Sequence, residues 1–242
     1  MDQTVPASSQ HTAHHEHRSV SGGTARAAVF GVSDGLVSNI SLIIGFAGSG
    51  VAASVVRLAG LAGLVGGAFS MAAGEYVSVA AQNELIEREL AVERRELRRN
   101  PEAETAELSR MYIAKGVDGE RAREFAADIM RDPDTALGVH AREELGIDPD
   151  DLASPLRTAV ASFLAFVVGA IVPLVPWFVA SGRAAAITSV LIGALAAAVV
   201  GTLIGRLSER HVTRAALRQV AFLLLACTAT YGVGAALGVT VT

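Results

Sequence analysis

Asp34 lies within AAVFGVSDGLVSNISLIIGFA (27–47), a run that is otherwise apolar and about long enough to cross a bilayer as a helix. At 1.5 Å per residue it sits roughly 10 Å along that helix. A carboxylate at such depth is costly and marks a protein-lined ion or proton route. Ser38 and Ser41 follow at i+4 and i+7 on the same stripe, with Asn39 close beside it. On the next apolar run Met71 and Glu75 are also four apart. The two runs must cross in opposite senses, so Asp34 and Met71 reach similar depth, with Glu75 one turn nearer the polar side. A carboxylate with a thioether suits a first-row divalent metal better than Mg²⁺ or Ca²⁺, which prefer oxygen throughout. Spacing alone leaves packing open as the role of Met71, a helix-end or serine contact as that of Asp34, and simple solvation as that of Glu75.

A second group of acids lies further on. Glu93 and Glu96 form an E-x-x-E pair on one helix face, and Glu104 and Glu107 repeat it beyond Asn100-Pro101. Two helices joined by so short a turn fold back antiparallel, so the pairs can face each other. Converging carboxylates repel unless cations or protons neutralise them. His140 and Glu144 stand at i and i+4, a spacing suited to two ligands on one metal. The other reading of this charge run is a solvated surface, with Arg94, Arg95, Arg98 and Arg99 pairing with the glutamates. The tail residues His11, His14, His15 and His17 offer only a loose Zn²⁺, Ni²⁺ or Cu²⁺ site with nothing to set its geometry.

The elements that must carry these residues follow from composition. The chain has 242 residues, is 51% hydrophobic and has a mean hydropathy of +0.43, too apolar for an ordinary soluble domain. Charge is segregated: 19 acidic and 11 basic residues fall between Asn83 and Ala153, and beyond the first 26 residues the only other acids are Asp34, Glu75 and Glu209. The expected organisation is a disordered tail (1–26), two spans forming a hairpin (27–82), a polar helical block (83–153) and three further spans (154–242). The spans are expected near 27–47, 51–81, 156–180, 184–205 and 214–239. Pro173 and Pro176 fall inside the third, where neighbouring helices can satisfy the freed carbonyls. Within the block, one helix continues the second span to Asn100, another runs from Pro101 to about Lys115, and a third covers 118–145 with a cap and fresh start at Asp132-Pro133. Gly60/Gly63/Gly67, Gly201-x-x-x-Gly205 and Gly234-x-x-x-Gly238 suit close helix packing, within one subunit or across a dimer seam. The fold class is thus an all-α membrane protein: five transmembrane helices and a three-helix cytoplasmic domain inserted between the second and third.

Lys and Arg set the expected orientation. The 48–50 loop has none, the 181–183 loop has Arg183 alone, the polar block has eleven, and the 206–218 region has Arg206, Arg210, Arg214 and Arg218. The positive-inside rule places the N-terminus and the polar block in the cytoplasm. The tail lacks a basic-then-apolar signal, so no cleaved leader is expected. No basic tract interleaves with aromatics, which leaves nucleic-acid binding without support. The lone Cys227 excludes an intramolecular disulfide and a cysteine cluster. The absence of a phosphate loop, nucleophile elbow or zincin motif argues against an ATP-driven pump and a hydrolase, and no prosthetic group is called for.

Four stretches carry a resemblance: SDGLVSNISLIIGFAG (33–48), GLAGLVGGAFSMAAGEYVSVAAQNE (60–84), the E-x-x-E pairs within 93–107, and EELG (143–146). Over about 27–240 the chain resembles the vacuolar iron transporter family, whose members move ferrous iron and often manganese. The resemblance implies a homodimer with the ion path between the first helices of the two subunits, exchange of metal for protons, an intramembrane acid at Asp34 and a pore methionine at Met71. It implies metal ligands at Glu93, Glu96, Glu104, Glu107 and Glu144. Where family members often have a methionine pair before the last glutamate, this chain has His140 and Ala141. His140 can still ligate; imidazole suits Fe²⁺, Mn²⁺ and Zn²⁺. The expected activity is export of Fe²⁺ or Mn²⁺ from the cytoplasm by proton antiport, with Glu75 passing metal inward from the glutamate domain. The rival is a membrane-anchored metal sensor or sink that binds without transporting, and a third class is a carrier of another cation or an organic solute. Residue bias towards Ala, Arg, Gly and Val favours a bacterial plasma membrane; in a eukaryote the same protein would load a vacuole.

Overall fold

The computed structural model describes residues 23–150, 152–208 and 211–238, and among these every regular element is helical. The histidines of the tail lie outside them. Nine helices follow in order: α1 (Gly23–Gly48), α2 (Ala53–Arg99), α3 (Pro101–Ala114), α4 (Gly119–Ile129), α5 (Pro133–Glu143), α6 (Pro155–Ile171), α7 (Pro176–Val179), α8 (Gly182–Leu207) and α9 (Val212–Leu237). Four of them, α1, α2, α8 and α9, are long and apolar enough to cross a membrane, and α6 is a shorter apolar helix. The first helix begins at Gly23, inside the segment expected to be disordered.

The hairpin turns at Gly48-Ser49-Gly50, where Gly50 adopts φ 77°, a value that disfavours a side chain. The next helix does not stop at the polar boundary. It runs unbroken for 47 residues, about 70 Å, from the apolar region into the acidic block. It ends where Pro101 starts α3. Asn100 stands at that junction, but its side chain does not cap; its amide donates to Glu96 Oε2 at 3.0 Å. True caps sit further on. Asp118 accepts from the backbone N–H groups of Glu120 and Arg121, and Asp132 from that of Asp134. The 118–145 region, expected to restart at Asp132-Pro133, is two helices divided there, because Asp132 competes for the backbone and Pro133 supplies a first-turn residue without an N–H.

A larger departure is at 156–180. The helix ends at Ile171, and a short α7 resumes at Pro176. Pro173 has no N–H to continue the ladder, and its ring crowds the preceding turn. Side chains from three other helices close the gap. Asn39 Nδ2 donates to Ala170 O at 2.7 Å, Ser189 Oγ to Pro173 O at 2.7 Å, and Arg57 Nη1 to Trp177 O at 3.2 Å.

The core of the apolar bundle is built from small residues. A Cβ at Gly35 would lie 2.2 Å from Phe166 O, and one at Gly169 would lie 2.2 Å from Val32 O, so α1 and α6 meet backbone to backbone. The buried side of α8 reads Ala185, Ser189, Gly193, Ala197, Gly201 and Gly205, one residue every turn. Leu58, Phe69, Leu191, Leu195, Leu217 and Leu225 point outward, each more than 60% exposed. Small residues inside and large apolar ones outside is the pattern of a bundle solvated by lipid. All the glycines flagged in the sequence for close packing except Gly238 pack closely within the chain, among them Gly67 against the Phe166 ring, Gly201 against Ala216, and Gly234 against Gly45.

Candidate metal centres

α1 and α2 run antiparallel and enclose an open groove of about 610 Å³. From α1 it receives Arg26, Phe30, Asp34, Ser38, Asn39 and Leu42; from α2, Gly63, Gly67, Ser70, Met71, Gly74, Glu75 and Ser78; Phe166 of α6 forms the floor. Asp34, Ser38, Asn39, Met71 and Glu75 therefore share one space. Opposed helix directions bring the two sequence stripes together. Ser38 Oγ donates to Asp34 O at 2.5 Å, which engages its proton and leaves its oxygen free to accept. Ser41, expected on the same stripe, lines a different, mostly apolar groove between α1 and α9. Asn39 belongs to the groove wall and is almost wholly buried, at 2% exposure.

The second centre lies in the polar block, where α2 carries Glu93, α3 carries Glu104, and α5 carries His140 with Glu144 at its end. Both turn elements named above serve it: Pro101 folds α3 back on α2, and the start at Pro133 lays α5 against α2. His140 Nδ1 is 3.1 Å from Glu93 Oε1, 3.9 Å from Glu104 Oε2 and 4.0 Å from Glu144 Oε2. Potential ligand atoms of Glu93, Glu104 and His140 all lie within 4.8 Å of one another. The His140 side chain is fully buried, and neither of its nitrogens, nor Glu93 Oε1, has a hydrogen-bond partner. Buried polar atoms left without partners are costly, and a cation among them would satisfy them together. Glu96 and Glu107 stand at the rim, close enough to press on the charge of Glu93.

The electrostatics agree with the geometry. Burial pushes the Glu93 carboxyl up to about 7, helped by the charges of Glu144, Glu104, Glu107 and Glu96. Burial and the neighbouring glutamates likewise raise Glu104 and Glu144. Burial lowers His140, against the pull of Glu107, so the ring favours its neutral, ligating form. An oxygen-rich pocket with one imidazole suits a borderline divalent metal.

A model of the VIT family matches residues 25–235. The chain belongs to the VIT family. It is 30% identical to vacuolar iron transporter 1 of Oryza sativa subsp. japonica, over 95% of this chain and 92% of that one. It is 29% identical to vacuolar iron transporter 1 of Eucalyptus grandis, over 92% and 90% of the two chains. A vacuolar iron transporter of Acanthamoeba castellanii is 42% identical over 66% of this chain and 58% of its own. These relatives are named as transporters and not as enzymes.

For this VIT-family chain, sequence reasoning overlooked several groove residues: Arg26 at one end, Ser70 and Ser78 beside Met71 and Glu75, and Phe166 beneath. A signal for two of them existed. Gly63, Gly67, Ser70, Gly74 and Ser78 recur at three- and four-residue spacing, a small-residue stripe on the face that also bears Met71. Nothing local pointed to Phe166, which arrives from a helix that begins 80 residues after Glu75.

Proposed function

We propose that the protein exports Fe²⁺, with Mn²⁺ as a second cargo, from the cytoplasm in exchange for protons. The observation that carries this reading is the one groove holding Asp34, Met71 and Glu75 together. A single helix links it to the second centre. From Glu75 to Glu93 is 18 residues of α2, about 27 Å. In the proposed cycle Glu93, Glu104 and His140 collect metal, with Glu96, Glu107 and Glu144 drawing cations towards them. Glu75 receives the ion at the mouth of the groove. Asp34 and Met71 then coordinate it at depth, with Ser38 and Asn39 lining the way. When the ion leaves outward, a carboxylate takes a proton in its place, which returns inward. The names of the relatives support iron as cargo.

The same reading makes α1, α2, α8 and α9 four crossings and the broken α6–α7 segment the fifth. The N-terminus and the polar block face the cytoplasm in this reading, which the Arg-rich connections support. The groove is open along one side, and a second copy apposed through its first helix would close it into a path. The membrane is the plasma membrane in a bacterium and the vacuolar membrane in a eukaryote.

Uptake of Fe²⁺ or Mn²⁺ into proteoliposomes with an imposed pH gradient tests the reading. Asp34→Asn is expected to abolish flux while leaving metal binding by the polar block intact, and Glu104→Ala/Glu107→Ala to weaken that binding. Undiminished transport by Asp34→Asn would overturn the assignment. The buried Glu93–Glu104–His140 cluster also favours a second reading, a membrane-anchored metal sink; wild-type binding without flux would favour it.

A further inference from the structure

The break after α6 does more than interrupt a helix. In an unbroken helix the N–H of Leu174 would reach Ala170 O, but it donates to Ile171 O at 3.0 Å instead, and Pro173 has no N–H to offer. Asn39 Nδ2 takes the vacant place on Ala170 O. A carbonyl only accepts, so the amide of Asn39 has one possible orientation, with NH₂ towards α6. Its oxygen then points the other way. That oxygen is buried and has no hydrogen-bond partner. It faces Gly63 of α2: a Cβ there would lie 2.9 Å from Oδ1. Asn39 and Gly63 both line the groove that holds Asp34 and Met71. Along α1 the two polar residues are five positions apart, roughly 7.5 Å, with Asn39 on the side away from Glu75.

We propose that Asn39 is a selectivity-setting oxygen ligand in the wall of the cation path, aimed towards α2 by the helix break and spared a covering methyl by the absence of a side chain at Gly63. This rests on the transport reading above. A neutral amide oxygen can replace one water around a divalent cation leaving Asp34, without adding a charge that would trap it. Oxygen donors favour harder ions such as Mn²⁺, whereas the Met71 thioether favours softer ones. Asn39 therefore weights the path towards the harder cargo.

Two variants separate this role from a structural one. Asn39→Leu removes the oxygen and the bond to Ala170. Gly63→Ala keeps that bond and sets a methyl against the oxygen; its other close neighbour is Leu42 Cδ2, at 2.6 Å, the end of a flexible side chain. Initial rates of Mn²⁺, Fe²⁺ and Co²⁺ uptake into proteoliposomes are measured over a range of concentrations. Both variants are expected to raise KM for Mn²⁺ about tenfold and that for Co²⁺ less than about twofold, so that the ranking moves towards the softer ion. An equal loss for all three cations in Asn39→Leu, with Gly63→Ala unchanged, would mean that Asn39 only closes the helix break, and the inference fails. Should Asn39→Leu not fold, Gly63→Ala decides alone. Wild-type protein that binds these ions but moves none of them would overturn the transport reading itself, a distinct result.

Discussion

Glu93 Oε1 and His140 Nδ1 stand 3.1 Å apart without forming a hydrogen bond, so metal and protons compete for the same space. Each glutamate must be ionised and the imidazole neutral to ligate. With the Glu93 carboxyl pushed up to about 7, metal affinity of the cluster is expected to fall roughly tenfold per pH unit below about pH 7 for each proton displaced. Isothermal titration with Mn²⁺ between pH 5.5 and 8 measures this, and an affinity flat across that range would be evidence against the site. The metal-free protein has the opposite slope. Glu93 holds a proton in the folded state that the unfolded chain releases from about 4.5 upward. Its contribution is therefore complete below pH 4.5 and is lost as pH rises through 7. His140, its pKa lowered, acts the other way, since the unfolded chain takes up a proton first as pH falls below 6.5. Comparing wild type with Glu93→Gln isolates the first effect. In chelator-treated protein at pH 8 the variant should be more stable by on the order of 1–3 kcal/mol, read from thermal unfolding, and should bind Mn²⁺ more weakly.

At the scale of elements, one residue type does opposite things two positions apart. Gly234 of α9 lies against α1, and a Cβ there would be 2.0 Å from Gly45 O, a backbone atom that cannot swing aside. Gly232 has open space around it on the outer face. Gly234→Leu is expected to cost more than about 3 kcal/mol and to lose the monodisperse peak on size-exclusion chromatography in detergent. Gly232→Leu is expected to leave that peak unchanged or sharpen it, because a leucine raises helix propensity and faces outward. Equal behaviour of the two variants would refute the packing of α1 against α9. The G-x-x-x-G spacing of 234 and 238 was legible in the sequence, but not its meaning. Gly238 ends α9 in a left-handed turn, at φ 34°, and only Gly234 makes a close contact. Likewise Asn100-Pro101 was legible as a boundary, whereas the side-chain bond from Asn100 to Glu96 was not. That bond occupies one member of the first E-x-x-E pair and helps explain why Glu93 and not Glu96 joins His140.

The whole molecule is organised by the length of α2, which joins an apolar bundle to an acidic block without a hinge. In the proposed cycle its direction in the membrane therefore sets the side on which metal is collected. Arg131 is exposed in the polar block, and Ala52 is exposed next to the short turn between α1 and α2. In a Cys227→Ser background, Arg131→Cys should react with a membrane-impermeant maleimide only from the cytoplasmic side, and Ala52→Cys only from the opposite side. The reverse pattern would invert the direction proposed for transport. Substituting Cys227 should be benign with respect to this readout, since it is buried in the bundle and carries no disulfide.

The segregation of charge, the apolar runs, the E-x-x-E repeat and the caps at Asp118 and Asp132 were all determined by local sequence, because each depends on residues within a turn or two of one another. The expectation that prolines near 173 would have their freed carbonyls met by neighbouring helices was of the same kind. Which neighbours meet them was not. The bond from Asn39 to Ala170 joins residues 131 positions apart, and that from Arg57 to Trp177 joins residues 120 apart. Burial of His140, the choice of Glu93 and Glu104 as its partners, and the floor that Phe166 gives the groove belong to the same class. Each is decided by how helices cross, and helix crossing follows from the summed fit of many side chains rather than from any one motif. The sequence by itself therefore determined which residues could bind metal and on which elements they ride; only the tertiary structure decided which of them meet.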